Sequence, residues 1–294
     1  MIKSSEIRQL ARNKLAGNWP KAFSITVVFV AINLALSYCS LLVKNLSTNT
    51  PILYYSSQII FTIILLPLSF GLISAIKKLI DGKNPEVTSI INDSLLNASK
   101  TIGIFFRVIF KILIPSIILI LGCVGIIFLS TQIVALNADT LGGYLLFLLL
   151  LNFISIIIIL ILALPYVLSN YALAENNKIS SKDAIETSVD LMKQNKWNFI
   201  KLVLSFFGWI ILIVLLMTLP YIFFSTIEPV KNFFISKGFN TSAFISLLEK
   251  LIQSLGMIAL LPYIISSIAV FYDELKDVKV EVVNKDKKDD SENN

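Results

Sequence analysis

Long uninterrupted apolar blocks alternate along this chain with short polar stretches that are mostly basic. The apolar blocks occupy about residues 22–43, 55–76, 112–134, 144–171, 202–224 and 251–272, and none contains Asp, Glu, Lys, Arg or His. A helix rises about 1.5 Å per residue, so roughly 20 apolar residues cross a hydrocarbon core of about 30 Å. Every block meets that length. In hydrocarbon the backbone must close its own hydrogen bonds, which leaves helices as the spanning form. The pattern therefore predicts an all-α fold, a polytopic membrane helix bundle of six transmembrane helices.

The polar stretches carry a second helical signal. Residues 4–16 place Ile7, Leu10, Ala11 and Leu15 on one face, with Ser4 or Ser5 as a cap, Glu6 in the first turn and Gly17 as a stop. Residues 181–196 carry Ile185, Val189 and Met192 as an apolar stripe, and Ser180 with Asp183 has the spacing of a capping box. Residues 87–99 are less regular, with Ile91, Leu95 and Ala98 on one side. Such helices either lie in the membrane interface or pack on the bundle and connect its spans. Three regions follow: a cytoplasmic amphipathic arm at 1–21, a six-helix transmembrane domain at 22–272, and a charged, disordered cytoplasmic tail at 273–294. The arm has no apolar core, so no cleavable signal peptide of the usual form is expected.

Charge sets the orientation. Of the 25 lysines and arginines, 21 lie in the N-terminal arm, the second and fourth loops and the tail; only four lie in the other three loops. Basic loops stay inside, so both termini are expected in the cytoplasm. The formal net charge of +6 is accounted for by this asymmetry, and no nucleic-acid recognition motif accompanies it. The composition, 56% hydrophobic with 15% charged residues and a mean hydropathy of +0.81, departs from soluble domains in the same direction.

The even-numbered spans share a pattern. Each carries Leu-Pro in its inner half: Leu66-Pro67, Leu164-Pro165 and Leu261-Pro262. Four residues later stand Gly71, Ser169 and Ser266, and beyond them Ala75, Ala172 and Ala269, then the acids Asp81, Glu175 and Asp273. This suggests three repeated units, each a surface helix and a hairpin of two spans. A proline within a helix removes one hydrogen bond and tends to kink it. Three kinks at one depth would splay the inner ends into a cytoplasmic vestibule. Its candidate residues are Pro67, Gly71, Pro165, Ser169, Asn170, Pro262 and Ser266.

Recognisable reaction chemistry is absent from the sequence. With no histidine, histidine triads and the HExxH zinc motif are excluded. Cys39 and Cys123 are isolated within apolar blocks and read as small hydrophobes, not as a disulfide or a metal pair. No cofactor and no catalytic residue is expected. The lack of charge within the spans lowers the case for ion coupling.

Four stretches carry a family resemblance: SSEIRQLARNKLAGNWPKAF at the start, PLSFGLISAIKKLIDGKNP after the second span, SSKDAIETSVDLMKQNKWNFIKLVLSFFGWI around the fifth, and LLPYIISSIAVFYDEL at the sixth. Together they resemble the uncharacterised bacterial integral-membrane family catalogued as domain of unknown function 975. The resemblance implies a multi-helix plasma-membrane protein and supplies no reaction or site residue. The functional expectation is a non-enzymatic binding, scaffold or accessory protein for lipids, peptides or protein partners. The alternative is a transporter or channel for a small molecule, lipid or peptide.

Overall fold

The computed structural model describes residues 3–46, 51–133, 138–237 and 241–292. Among them there is no strand. Six helices are long and apolar enough to cross a membrane, at Trp19–Lys44, Pro51–Ile80, Ala98–Phe128, Leu146–Glu175, Lys196–Phe224 and Phe244–Val280. The chain divides into two compact units, Met1–Ala98 with Trp197–Asn294, and Ser99–Lys196.

In the first unit, α1 (Ser4–Leu15) ends at Gly17, whose φ of 79° is open to glycine at no steric cost. Its first turn begins after Lys3, whose N–H donates to the Glu6 carboxylate, so neither Ser4 nor Ser5 is the cap. Next come α2 (Trp19–Leu46), α3 (Pro51–Ile80) and α4 (Ser89–Leu96). Helix α4 is shorter than the expected 87–99, because Asn97 leaves helical geometry at its C-terminus. The second unit holds most of α5 (Ala98–Ile133), then α6 (Ala138–Ala163), a 3₁₀ turn at Leu164–Tyr166, α7 (Ser169–Glu175) and α8 (Ser181–Met192). The chain returns to the first unit with α9 (Lys196–Leu204), α10 (Phe207–Tyr221), a π-type turn at Ile222–Thr226, α11 (Glu228–Ser236) and α12 (Thr241–Glu292).

The core of each unit sits at one end of its spans. Apart from Ser57, every buried residue of α3 follows Pro67. Burial on α12 likewise concentrates from Pro262 to Tyr272. Helix α1 buries Ile7, Ala11 and Leu15 and packs on α12 and α3, whereas α4 packs on α3. In the second unit α8 buries Ala184, Ile185, Ser188, Leu191 and Met192 against α7 and the 3₁₀ turn. The physical reason is the medium. Apolar faces gain little from meeting each other in lipid, while the apolar stripes of α1 and α8 must be kept from water and dock where the spans end. Helix α4 instead buries Ile90 and Ser94, the face that Gly71 of α3 receives, and leaves Ile91 and Leu95 of its expected stripe exposed. Elsewhere the spans leave large side chains uncovered, among them Phe110, Ile118, Phe128, Phe153 and Leu215. On α5 from Phe105 to Phe128, and among the described residues of α6, no residue is buried inside the protein. So much exposed apolar surface is compatible with lipid and not with water.

Two spans are interrupted. The fourth breaks around Pro165, where α6 gives way to the 3₁₀ turn and α7. The fifth breaks at Ser205 and Phe206, between α9 and α10, where the sequence reading has one continuous span. Pro67 and Pro262, by contrast, lie inside continuous helices. Helix α12 also runs on to Glu292, past Tyr272, where the reading begins a disordered tail. No proline or glycine follows Pro262, so a helix anchored in the bundle meets nothing to stop it.

Candidate functional site

A break in a span frees backbone groups, and within a bilayer each needs a partner. At the fourth span the partner is Ser188 of α8. Its hydroxyl accepts from the Leu168 N–H at 3.1 Å and donates to the Pro165 carbonyl at 2.7 Å. The Ser180–Asp183 capping box that starts α8 forms as expected. The Ser180 hydroxyl and then its amide hold the Asp183 carboxyl below its usual range. Replacing Ser188 by alanine would leave both a buried N–H and a buried carbonyl unpaired, at a cost of about 2–4 kcal/mol. The expected result is a lower melting temperature together with faster hydrogen exchange at the Leu168 amide than at the amides of α7 that follow it.

At the fifth span the partner is Arg8 of α1. One guanidinium nitrogen, Nη1, donates to the Ser205 carbonyl at 3.2 Å, and the guanidinium carbon lies 6.0 Å from the Phe206 ring centroid. The Trp209 and Ile210 amides both turn to the Phe206 carbonyl, leaving Ser205 to the arginine. Phe206 is buried and meets Tyr263 edge-on at 5.1 Å; Tyr263 in turn lies 6.4 Å from Trp19.

Charged groups gather at the same end of the first unit. Lys77 is buried, with its ammonium 2.6 Å from an Asp273 oxygen, 3.7 Å from Asp81 and 5.6 Å from the Tyr272 ring centroid. Lys14 of α1 reaches Asp273 at 3.9 Å. Beside them Lys78 binds both oxygens of Asp93, at 2.6 and 2.8 Å, and the Ser74 hydroxyl donates to the same carboxylate at 2.8 Å. These links join α1, α3, α4 and α12.

The seven vestibule candidates fall in both units. In the first, Gly71 is pressed against α4: a Cβ there would overlap the Ile90 carbonyl oxygen and the Ser94 hydroxyl. Pro262 and Ser266 are buried on α12, which packs against α3. Pro67 is half-buried on α3. In the second, Ser169 is buried and donates to the Tyr166 carbonyl at 2.8 Å, beside the turn at Pro165. The Asn170 amide oxygen and the Ser266 hydroxyl are buried without a protein partner. Of the small residues after the prolines, Gly71 serves the close packing of α3 on α4. Sequence reasoning missed Arg8, Ser188 and the Lys77 cluster. Asp81 and Asp273 stand out in the sequence as matched acids, but along the chain Lys77, their shared partner, is one topology charge among many.

A cavity of about 600 Å³ opens at the other end of the first unit, between α10, the π-type turn and α12. Leu216, Pro220, Phe223, Leu248 and Gly256 are among its lining residues, all of which are apolar. Beyond it Phe224, Phe234 and Phe244 form a ring cluster with centroids 5.1–6.0 Å apart.

Helices of this length and apolarity, packed from one end and bare along their flanks, define a polytopic all-helical membrane protein. Its family follows from the whole chain: residues 1–279 match the family described as protein of unknown function, DUF975, and the chain belongs to that family. No curated protein and no solved structure matches it.

Proposed function

We propose that this is a bacterial plasma-membrane protein with both termini in the cytoplasm, acting by binding lipid rather than by catalysis. The observation that carries the reading is the cavity between α10 and α12. It lies within two candidate spans, and its lining is apolar throughout. Water there would lack hydrogen-bond partners. A peptide would bring backbone groups that this lining cannot satisfy. An acyl chain brings neither problem, and bilayer lipid supplies it at high concentration. At the opposite end of the first unit, the docked α1 and α4 and the basic residues around them fit a cytoplasmic face.

The reading is tested by purifying the protein in native lipid patches without detergent and identifying what accompanies it by mass spectrometry. An acyl lipid enriched over an unrelated six-helix control is expected. Leu248→Trp, which fills the cavity, should lower that enrichment severalfold. Leu121→Trp, at an exposed position on α5, should leave it unchanged. A lipid profile equal to bulk membrane in the unaltered protein would refute the reading.

The two interrupted spans favour transport as the second reading, since discontinuous helices line the sites of many transporters. Lipid or solute flux in proteoliposomes containing this chain alone would support it, and flux equal to empty vesicles would count against it.

A further inference from the structure

We propose that Arg107 and Lys111 of α5, with Tyr166 beside them, bind the headgroup phosphate of an anionic lipid in the cytoplasmic leaflet. The inference uses the orientation proposed above. It does not depend on the apolar cavity, and every residue it invokes belongs to the second unit.

Spacing sets the face. Lys100, Ile104, Arg107 and Lys111 follow one another at helical intervals and line one side of α5. The first part of that side is covered by protein. Ile104 is buried, and the Lys100 ammonium donates to the Asn177 carbonyl. The Ser181 hydroxyl donates to the Lys100 carbonyl at 2.9 Å, and a Cβ on Gly103 would lie 2.8 Å from the same hydroxyl. The second part is open. Arg107 and Lys111 are both exposed. Among the described residues Arg107 makes no hydrogen bond, ion pair or ring contact, so its whole donor fork is accessible. Lys111 meets only the Tyr166 ring, 5.4 Å from its centroid, and the Tyr166 hydroxyl has no partner among those residues.

No acid stands opposite these cations. Helix α5 contains neither Asp nor Glu. On the helices that follow the break in the fourth span, Asp183 is engaged by Ser180, Glu186 by Lys182 and Asp190 by Lys193, and Glu175 is engaged elsewhere. Two like charges one turn apart repel each other, and these two are the only charges from Thr101 to Ile133. An anion from outside the chain removes that repulsion, and the guanidinium and ammonium both suit a phosphate.

Depth selects the source of the anion. The run from Ile112 to Ile133 is about 33 Å long as a helix, enough to fill a hydrocarbon core of about 30 Å. Lys111 therefore stands at the core boundary, with Arg107 one turn toward water. Long cationic side chains reach the headgroups from there, and tyrosine favours the same level. Phe106, Phe110 and Ile114 are exposed on adjoining faces of α5, where the acyl chains of such a lipid lie. A phosphate dissolved in the cytoplasm shares the recognising chemistry but not this depth.

The full-length protein is reconstituted in phosphatidylcholine bilayers containing phosphatidylglycerol with a photoactivatable headgroup. After illumination, peptide mapping is expected to find the label concentrated around Arg107 and Lys111 and at the turn holding Tyr166. Label spread over all the basic stretches alike would overturn the proposal, whether or not any variant folds. Native mass spectrometry should show phosphatidylglycerol retained about thirtyfold over phosphatidylcholine, the ratio that two surface cations supply. Arg107→Gln with Lys111→Gln should fold normally, since both side chains are exposed, and should lose most of that preference. Lys178→Gln with Lys182→Gln removes the same charge from exposed positions and should leave it unchanged. Arg107→Lys with Lys111→Arg keeps both charges and should retain it. Equal losses in the two glutamine pairs would overturn the proposal. Soluble glycerol phosphate in excess should leave the labelling intact; its abolition would overturn the lipid assignment in favour of a dissolved anion. Leu248→Trp should alter neither the label nor the ratio, so this inference and the cavity reading fail independently.

Discussion

Gly71→Leu is expected to prevent α4 from docking on α3 and to abolish a cooperative thermal transition of the first unit. Gly71→Ala is the milder version. The first carbon added at this position overlaps the Ile90 carbonyl oxygen, which belongs to backbone and cannot rotate away, as well as the Ser94 hydroxyl, which can. Overpacking of a well-filled site costs about 1–3 kcal/mol and occasionally more; contact with backbone places Gly71→Ala at the upper end. Moving α4 to make room would also pull Asp93 from Lys78 and Ser74. The helix-propensity gain of alanine over glycine, about 1 kcal/mol, offsets only part of this. Gly125→Ala on α5 has the same propensity gain and nothing within 4 Å of the new carbon. It should therefore be neutral or slightly stabilising. Melting temperatures of the two variants in one detergent make the comparison. A Gly71→Ala protein as stable as Gly125→Ala would show that α4 is free to shift.

Lys77→Ala should be the second severe change. Its side chain is only 4% exposed and lies between Asp273 and Asp81. Removing the ammonium leaves two carboxylates near each other, with Lys14 at 3.9 Å from Asp273 too distant to replace it. Breaking a buried pair from one side costs about 3–5 kcal/mol. Asp273 is 24% exposed, so the lower end of that range applies. Asp273→Ala should cost less, because Lys77 keeps Asp81. Replacing both partners together, Lys77→Leu with Asp273→Leu, removes the unpaired charge and should recover most of the loss, as apolar replacement of buried pairs commonly does. Equal melting temperatures for the two single variants, with no recovery in the double, would show that these charges do not act as a pair.

The six spans were legible because the bilayer imposes a length and a composition that the chain must display. The capping box at Ser180 and Asp183 was legible for a related reason: the contact spans three residues and needs no tertiary partner. Gly17 as a stop for α1 belongs to the same class. The breaks were less so. Pro165 announces one, yet Pro67 and Pro262 have the same Leu-Pro signal and stay within helices. What differs is the docked helix. Ser188 of α8 takes up the groups freed at the Pro165 break, whereas Gly71 of α3 offers α4 a close face with the helix unbroken. The break at Ser205 and Phe206 has no proline at all. The Ser205 carbonyl freed there is met by Arg8, 197 residues away in the chain.

Local pattern thus determined the helices, their apolarity and the apolar stripes of α1 and α8, since each depends on spacings within one segment or on the thickness of a membrane; which face of α4 docks was decided by the close approach of Gly71. The family, too, was readable from linear motifs. Tertiary structure decided where the core lies, which acids share Lys77, which prolines interrupt their spans, and that α10 and α12 leave a cavity. All of these depend on side chains far apart in sequence meeting at a few ångströms. In a lipid-exposed chain the apolar surface that usually advertises such meetings is spread over every span, so the pattern along the chain carries no mark of which faces touch.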